Sequence, residues 1–346
     1  MATLPKNLEG LLESARSSSS TAQPQYYELI PVPEFDLAGE LAKAVEARNS
    51  AEDNAPVNPL EPQTFSEFVG QSQAKEVLKI IVDAANMEER LIPNVLLTGA
   101  FGHGKTTLAK LIAKRHHKKV SIIDGANAAN LVSPSPDRIY IIDEAHNIPA
   151  QVTDSFNILI DSNQLRIIAC TTNPGALPSP FRSRFRMVYL QEYSIENIAL
   201  ILQKASKRLG MTIQKPALEK ISERSKLNPR MALSLLEFMR ESTVVSKKKG
   251  SIGIDSVDKS LAQLEIDDQG LTAVDRKYLE LLSAVKPTGL QYLSSVLALD
   301  KDTIQEEIEP YLIRQNLVER TPKGRIKVNS DIVDIPIVRY PRPVGF

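Results

Sequence analysis

The residues best equipped for chemistry lie in Thr98-Gly99-Ala100-Phe101-Gly102-His103-Gly104-Lys105-Thr106-Thr107. This is the P-loop pattern, G-x-x-x-x-G-K-[ST]. Glycines at 99, 102 and 104 let the backbone curl closely around a phosphate chain. Its N–H groups then point inward, and the dipole of the following helix adds positive potential. Lys105 supplies a mobile charge for the β- and γ-phosphates, and the Thr106 hydroxyl is placed to ligate Mg²⁺. His103 and Thr107 belong to the same phosphate loop. A second group follows in Arg138-Ile139-Tyr140-Ile141-Ile142-Asp143-Glu144. An apolar run ending in Asp-Glu is the Walker B arrangement. Asp143 can hold Mg²⁺ and Glu144 can polarise an attacking water. ATP and Mg²⁺ are therefore the expected ligands.

These groups need elements to position them. Asn94-Val95-Leu96-Leu97-Thr98 reads as a buried parallel strand, and Leu108–Lys114 as the helix after the glycine loop. Val120–Asp124, Arg138–Asp143 and Leu165–Cys170 read as further strands. Chemistry at their carboxyl ends matches the rule for open α/β sheets. A helix is expected over about Ser72–Arg90. Between Asp143-Glu144 and the Leu165 strand, Gln151–Gln164 leaves room for a helix and a turn. Lys114-Arg115-His116-His117-Lys118-Lys119 reads as cations complementing a helix C-terminus. Ser194–Leu209, Pro216–Lys226, Pro229–Val244 and Val257–Leu264 carry helical apolar spacing, with a basic loop at Lys247–Gly250. Thr272–Val285, Gly289–Leu297 and Asp302–Gln315 read as helices, followed by strand, turn and strand over 317–328. Three helices and a hairpin outline a winged helix, and Arg320, Lys323, Arg325 and Lys327 place four cations on its hairpin to meet DNA phosphates.

The totals bound these readings. The chain has 346 residues, enough for about two or three domains. Lys plus Arg and Asp plus Glu both number 42, so DNA contact must come from a local patch. Cys170 is the only cysteine, which excludes disulfides and a cysteine-rich zinc site. No run approaches ~18 apolar residues and the start lacks an apolar signal core, so a cytoplasmic protein without a membrane anchor is expected. The expected organisation is a flexible arm (1–62), a nucleotide-binding core (63–190), a helical lid (191–268), a winged helix (271–328) and an extended tail (329–346). The arm carries two helical patches, Leu8–Ala15 and Phe35–Ala47.

With these residues in place, the chain resembles the AAA+ ATPases and, among them, the RuvB family of Holliday junction branch-migration motors. The resemblance runs from about Phe65 to Val328. It implies an α/β P-loop AAA+ core with a parallel sheet, then a helical lid and a C-terminal winged helix. Phe68-Val69-Gly70-Gln71 looks like the family's adenine-side box, which makes Val69 and Gly70 nucleotide contacts. Thr171 and Thr172 align with the sensor 1 threonines. Phe181-Arg182-Ser183-Arg184-Phe185 is similar to the arginine-finger box, with Arg184 as the finger. Asn228-Pro229-Arg230 resembles sensor 2, with Arg230 reaching the phosphates from the lid. Glu309-Pro310-Tyr311-Leu312-Ile313-Arg314-Gln315 and Arg320–Arg325 give the most specific C-terminal match.

The resemblance implies an ATP-hydrolysing ring, most simply a hexamer, that remodels branched DNA. Lys105, Glu144, Thr172, Arg230 and a neighbour's Arg184 would carry hydrolysis. Two departures are expected. The segment before the Leu165 strand has no room for the hairpin with which this family docks its junction-binding partner, RuvA. Ala126–Pro136 also replaces a longer helical stretch. The arm could then recruit a protein partner. A clamp-loader-like or helicase-loader-like ATPase is the alternative, since such cores are compact.

Overall fold

The computed structural model describes residues 58–131, 134–135, 137–246 and 251–328, all within one compact unit. The helical patches of the arm, the basic loop at 247–250 and the tail lie outside the described residues.

The core is a five-stranded parallel sheet. Its strands are β1 (Val95–Thr98), β2 (Lys119–Asp124), β3 (Arg138–Asp143), β4 (Ile167–Thr171) and β5 (Arg186–Tyr189), in the order β2-β3-β4-β1-β5. Side chains alternate across a strand, and helices cover both faces, so even short strands read as unbroken apolar runs. Leu97, Ile141 and Cys170 pack against α1 (Ser72–Met87) and α2 (Lys105–Arg115). Leu96, Ile142 and Ala169 face the other way, onto α3 (Ala150–Asp161) and the short α4 (Ser179–Arg182). Phe156, Phe181 and Phe185 fill that second layer, with the Phe181 and Phe185 rings 4.9 Å apart edge to face. Because β4 inserts between β1 and β3, its polar tip falls between the P-loop and the Asp143-Glu144 pair.

Between β3 and β4 the chain forms a single 3₁₀ turn, α3 and a tight turn. No strand pair occurs there among the described residues, as the residue count requires. A 3₁₀ helix, Gly125–Asn130, stands where the longer helical stretch is missing. It is capped by the Asp124 carboxylate, which accepts from the Ala126 N–H at 2.9 Å. His116 terminates α2 instead of extending it, and its Nδ1 lies 2.5 Å from Asn86 Oδ1.

The lid consists of α5 (Ile195–Arg208), α6 (Lys215–Arg224), α7 (Pro229–Val245) and α8 (Ile254–Gln263). Ser194 caps α5, accepting from the Asn197 N–H. Asn228 caps α7, with Pro229 at the first helical position where its missing N–H costs nothing. A two-residue parallel pairing of β6 (Thr212–Ile213) with β7 (Ser251–Ile252) was not expected; such short strands carry no periodic signal. Leu60 is buried in the lid's apolar cluster, so the expected arm gives way to packed structure a few residues before 63.

The winged helix begins with α9 (Ala273–Glu280), closed at its start by a reciprocal Thr272–Asp275 capping box. This helix is shorter than the expected Thr272–Val285. Lys286 precedes Pro287, which disfavours helical backbone there, and the Ser283 hydroxyl accepts the N–H groups of Val285 and Lys286. Next come α10 (Leu290–Leu297) and α11 (Lys301–Thr303), which widens into a π turn (Ile304–Ile308) before α12 (Glu309–Arg314). The hairpin pairs β8 (Val318–Thr321) with β9 (Gly324–Lys327). Thr288 pairs with Arg325 through an isolated antiparallel bridge beside the hairpin. Gly324 has φ +145°, and a Cβ there would lie 2.5 Å from the Thr288 carbonyl oxygen. Only glycine permits that approach. No described helix is long and apolar enough to cross a membrane.

Candidate nucleotide and DNA sites

The P-loop enters from the tip of β1 and leaves through the first turn of α2. The Lys105 side chain is buried, and its ammonium donates to the carbonyls of Gly99 (3.1 Å) and Ala100 (3.2 Å). Burial lowers its pKa, opposed chiefly by the charge of Glu144. The Thr106 hydroxyl donates to Asp143 Oδ2 at 2.8 Å. A hydroxyl and a carboxylate so paired are the hard oxygen donors that Mg²⁺ takes. Glu144 follows Asp143 with φ +43°, a left-handed backbone that is rare outside glycine and is found at functional sites. Burial raises its pKa, and Oε2 is buried without a hydrogen-bond partner among the described residues. His146 Nδ1 stands 3.5 Å from that oxygen.

Core and lid enclose a cavity of about 610 Å³. Gly102, Gly104, Lys105, Thr106 and Thr107 form one wall, with Asp143 and Glu144 beside them and Val69 further along. Arg230 enters from α7, its guanidinium 4.5 Å from the Phe101 ring centroid. The cavity thus offers a backbone cradle, cations at one end and apolar surface from Leu60, Val69 and Leu233. A nucleoside triphosphate with a hard cation fits that donor set.

The expected site residues separate into those that converge and those that do not. Gly99 backs onto Leu190, side chain and carbonyl, and Gly70 onto the Tyr193 ring, so each makes room for a close neighbour. His103 turns away from the cavity. Its ring meets Tyr193 edge to face at 5.6 Å, and burial pushes its pKa down to about 4, so the imidazole is neutral. Thr172 lies outside the main cavity, in a neighbouring cleft of about 520 Å³ between the P-loop and the winged helix. Its hydroxyl donates to Glu306 Oε2 at 2.8 Å. Arg184 does not line the cavity either. It donates twice to Asp161, at 2.8 and 2.6 Å, and once to the Pro180 carbonyl.

Two of the four wing cations are also held within the chain. Arg320 and Arg325 both bind Glu309, which is fully buried; Arg325 reaches it at 2.7 Å and is itself largely covered, while the Arg320 side chain remains 45% exposed. Tyr278 also donates to Glu309 at 2.9 Å, and its own pKa is raised by burial and then by that charge. An uncompensated buried carboxylate is costly, so it draws in both guanidinium groups. Lys323 and Lys327 are exposed at the hairpin tip and end.

Sequence reading missed Asn228 as a link between lid and core. Its Oδ1 caps α7, while its Nδ2 donates to the Phe101 carbonyl at 3.0 Å. Gly102 makes room for this: a Cβ there would lie 2.3 Å from Asn228 Oδ1. Tyr193, His146 and Glu306 were missed as well, because their neighbours come from distant segments.

Three family profiles match successive parts of the chain: the Holliday junction DNA helicase RuvB P-loop domain over 60–160, the RuvB AAA lid domain over 193–267, and the RuvB C-terminal winged helix domain over 268–330. The Holliday junction branch migration complex subunit RuvB of Pseudothermotoga lettingae is 33% identical over 310 residues, covering 81% of this chain and 90% of that protein. The corresponding subunit of Campylobacter lari is 32% identical over 320 residues, covering 82% and 93%. The solved Thermotoga maritima RuvB Holliday junction branch migration motor superposes with a TM-score of 0.74 at 32% identity, over 79% of this chain and 97% of that one. The chain belongs to the RuvB family of P-loop ATPases.

Proposed function

We propose that this chain is the ATP-hydrolysing subunit of a ring that drives branch migration of four-way DNA junctions. One observation carries the reading. The cavity joins a P-loop, the Thr106–Asp143 pair, Glu144 and a lid arginine, while Arg184 stays outside it on Asp161. Such a site has every hydrolytic part except a finger, which a neighbouring copy would supply.

In this reading Lys105 and Arg230 hold the phosphates, and Thr106 and Asp143 hold Mg²⁺, which neutralises charge developing on the phosphoryl oxygens. Glu144 takes the proton of the attacking water. Its raised pKa suits a base that must be neither fully solvated nor tightly paired. Thr172 senses the terminal phosphate. Lys323 and Lys327 contact DNA phosphates. Residues 1–62 engage a protein partner, since the docking hairpin expected of the family has no counterpart among the described residues. The loader alternative loses its support, because lid and winged helix both match RuvB profiles in sequence order.

The test is ATP hydrolysis per subunit against protein concentration, with and without a four-way junction, using Glu144→Gln as the blank. Rates should rise steeply with concentration and again with the junction. A rate per subunit independent of concentration would sink the shared site, and indifference to the junction would sink the DNA motor.

A further inference from the structure

The winged helix reaches into the ATPase core at one carboxylate. Glu306 sits in the π turn, a widened helical geometry that often marks functional positions. One oxygen accepts the Thr172 hydroxyl at 2.8 Å, and the other lies 3.8 Å from His146 Nε2. The opposite edge of that imidazole is 3.0 Å from Thr171 Oγ1 and 3.5 Å from the unpartnered Glu144 Oε2. A line of side chains therefore runs from the DNA-facing domain to the base of the hydrolytic site. The winged helix is also fastened to the lid segment, by Arg314 to Glu192 at 2.5 Å and by the buried Asp275 to Lys226.

Two facts set the consequence. A threonine hydroxyl has one proton, so Thr172 cannot give it to Glu306 and to a phosphate oxygen together. A carboxylate beside Glu144 also adds like charge where the terminal phosphates gather. We propose that Glu306 is a positioning residue through which the winged helix restrains hydrolysis, holding the Thr172 hydroxyl until movement of the winged helix on DNA releases it. This rests on the ATPase reading above and adds the regulation of that site.

The experiment measures kcat and KM for ATP without DNA, at a protein concentration where the rate per subunit no longer rises. It compares the full chain with Glu306→Ala and Glu306→Gln. The alanine variant should hydrolyse roughly fivefold faster or more, the lower end of ordinary intersite couplings, with KM within about twofold. Glutamine keeps an acceptor for Thr172 but loses the charge, so it should fall between wild type and alanine. Adding a four-way junction should then stimulate the alanine variant less than wild type. Basal kcat that is unchanged or lower in both variants, with rings intact, overturns the proposal. If alanine lowers the melting temperature, glutamine decides: a rise of about twofold or more supports the restraint, and no rise refutes it. A wild type indifferent to the junction would instead count against the DNA-motor reading, since the basal comparison needs no DNA.

Discussion

The nucleotide cavity and the winged-helix hairpin are both places where the sequence displays charge, yet they use it differently. At the cavity the charged side chains are held by backbone geometry. Lys105 is presented by the first turn of α2, and Asp143 and Glu144 by the end of β3. At the hairpin a distant buried carboxylate binds part of the charge: Glu309 draws Arg325 under the surface and pairs with the exposed Arg320, while Lys323 and Lys327 stay in solvent without it. A glycine pattern fixes where a lysine must point. A run of alternating cations fixes only which face of a strand each occupies, and the nearest buried anion then decides which are free.

The comparison breaks most visibly at Arg184, which belongs to neither region within one chain. Arg184→Ala should reduce ring-dependent hydrolysis about 10³-fold or more while nucleotide binding persists, read as steady-state ATPase against nucleotide affinity. A loss below about tenfold would mean that the cavity is self-sufficient. Next in size is Glu309→Leu. It strands two guanidinium groups and the Tyr278 hydroxyl, and should destabilise the winged helix by about 3 kcal/mol. Hydrogen exchange over 271–328 should report this, with protection of the P-loop strands unchanged. The smallest effect sharpens the division of the hairpin. Lys323→Glu with Lys327→Glu should flatten the dependence of log affinity on log salt by about two units for duplex DNA. Arg320→Ala should move stability more than that slope; the reverse result would return Arg320 to the DNA face.

Much of the site was legible because its parts are local. The P-loop needs contiguous glycines, Walker B needs an apolar strand ending in two acids, and the α7 cap needs Asn-Pro in succession. What escaped was set by pairing across the chain. Thr172 and Glu306 are 134 residues apart, and Asn228 and the Phe101 carbonyl 127. Neither Glu306 nor Glu309 has a neighbour in sequence that betrays its partner. Glu309 lay inside the most specific family match, yet its burial was invisible until helix and hairpin were folded together. The same held for Arg325, whose alternation with Ile326 suits a surface strand as well as a buried ion pair.

The side chain of Asn228 holds the first turn of α7 with its oxygen and the P-loop with its nitrogen. A seventeen-residue helix is about 25 Å long, so tilting it by about 10° about that cap sweeps its far end through about 4 Å. Gly102 leaves the space in which that joint forms: a Cβ there would lie 2.3 Å from Asn228 Oδ1, so any other residue would displace the amide that joins lid to phosphate loop.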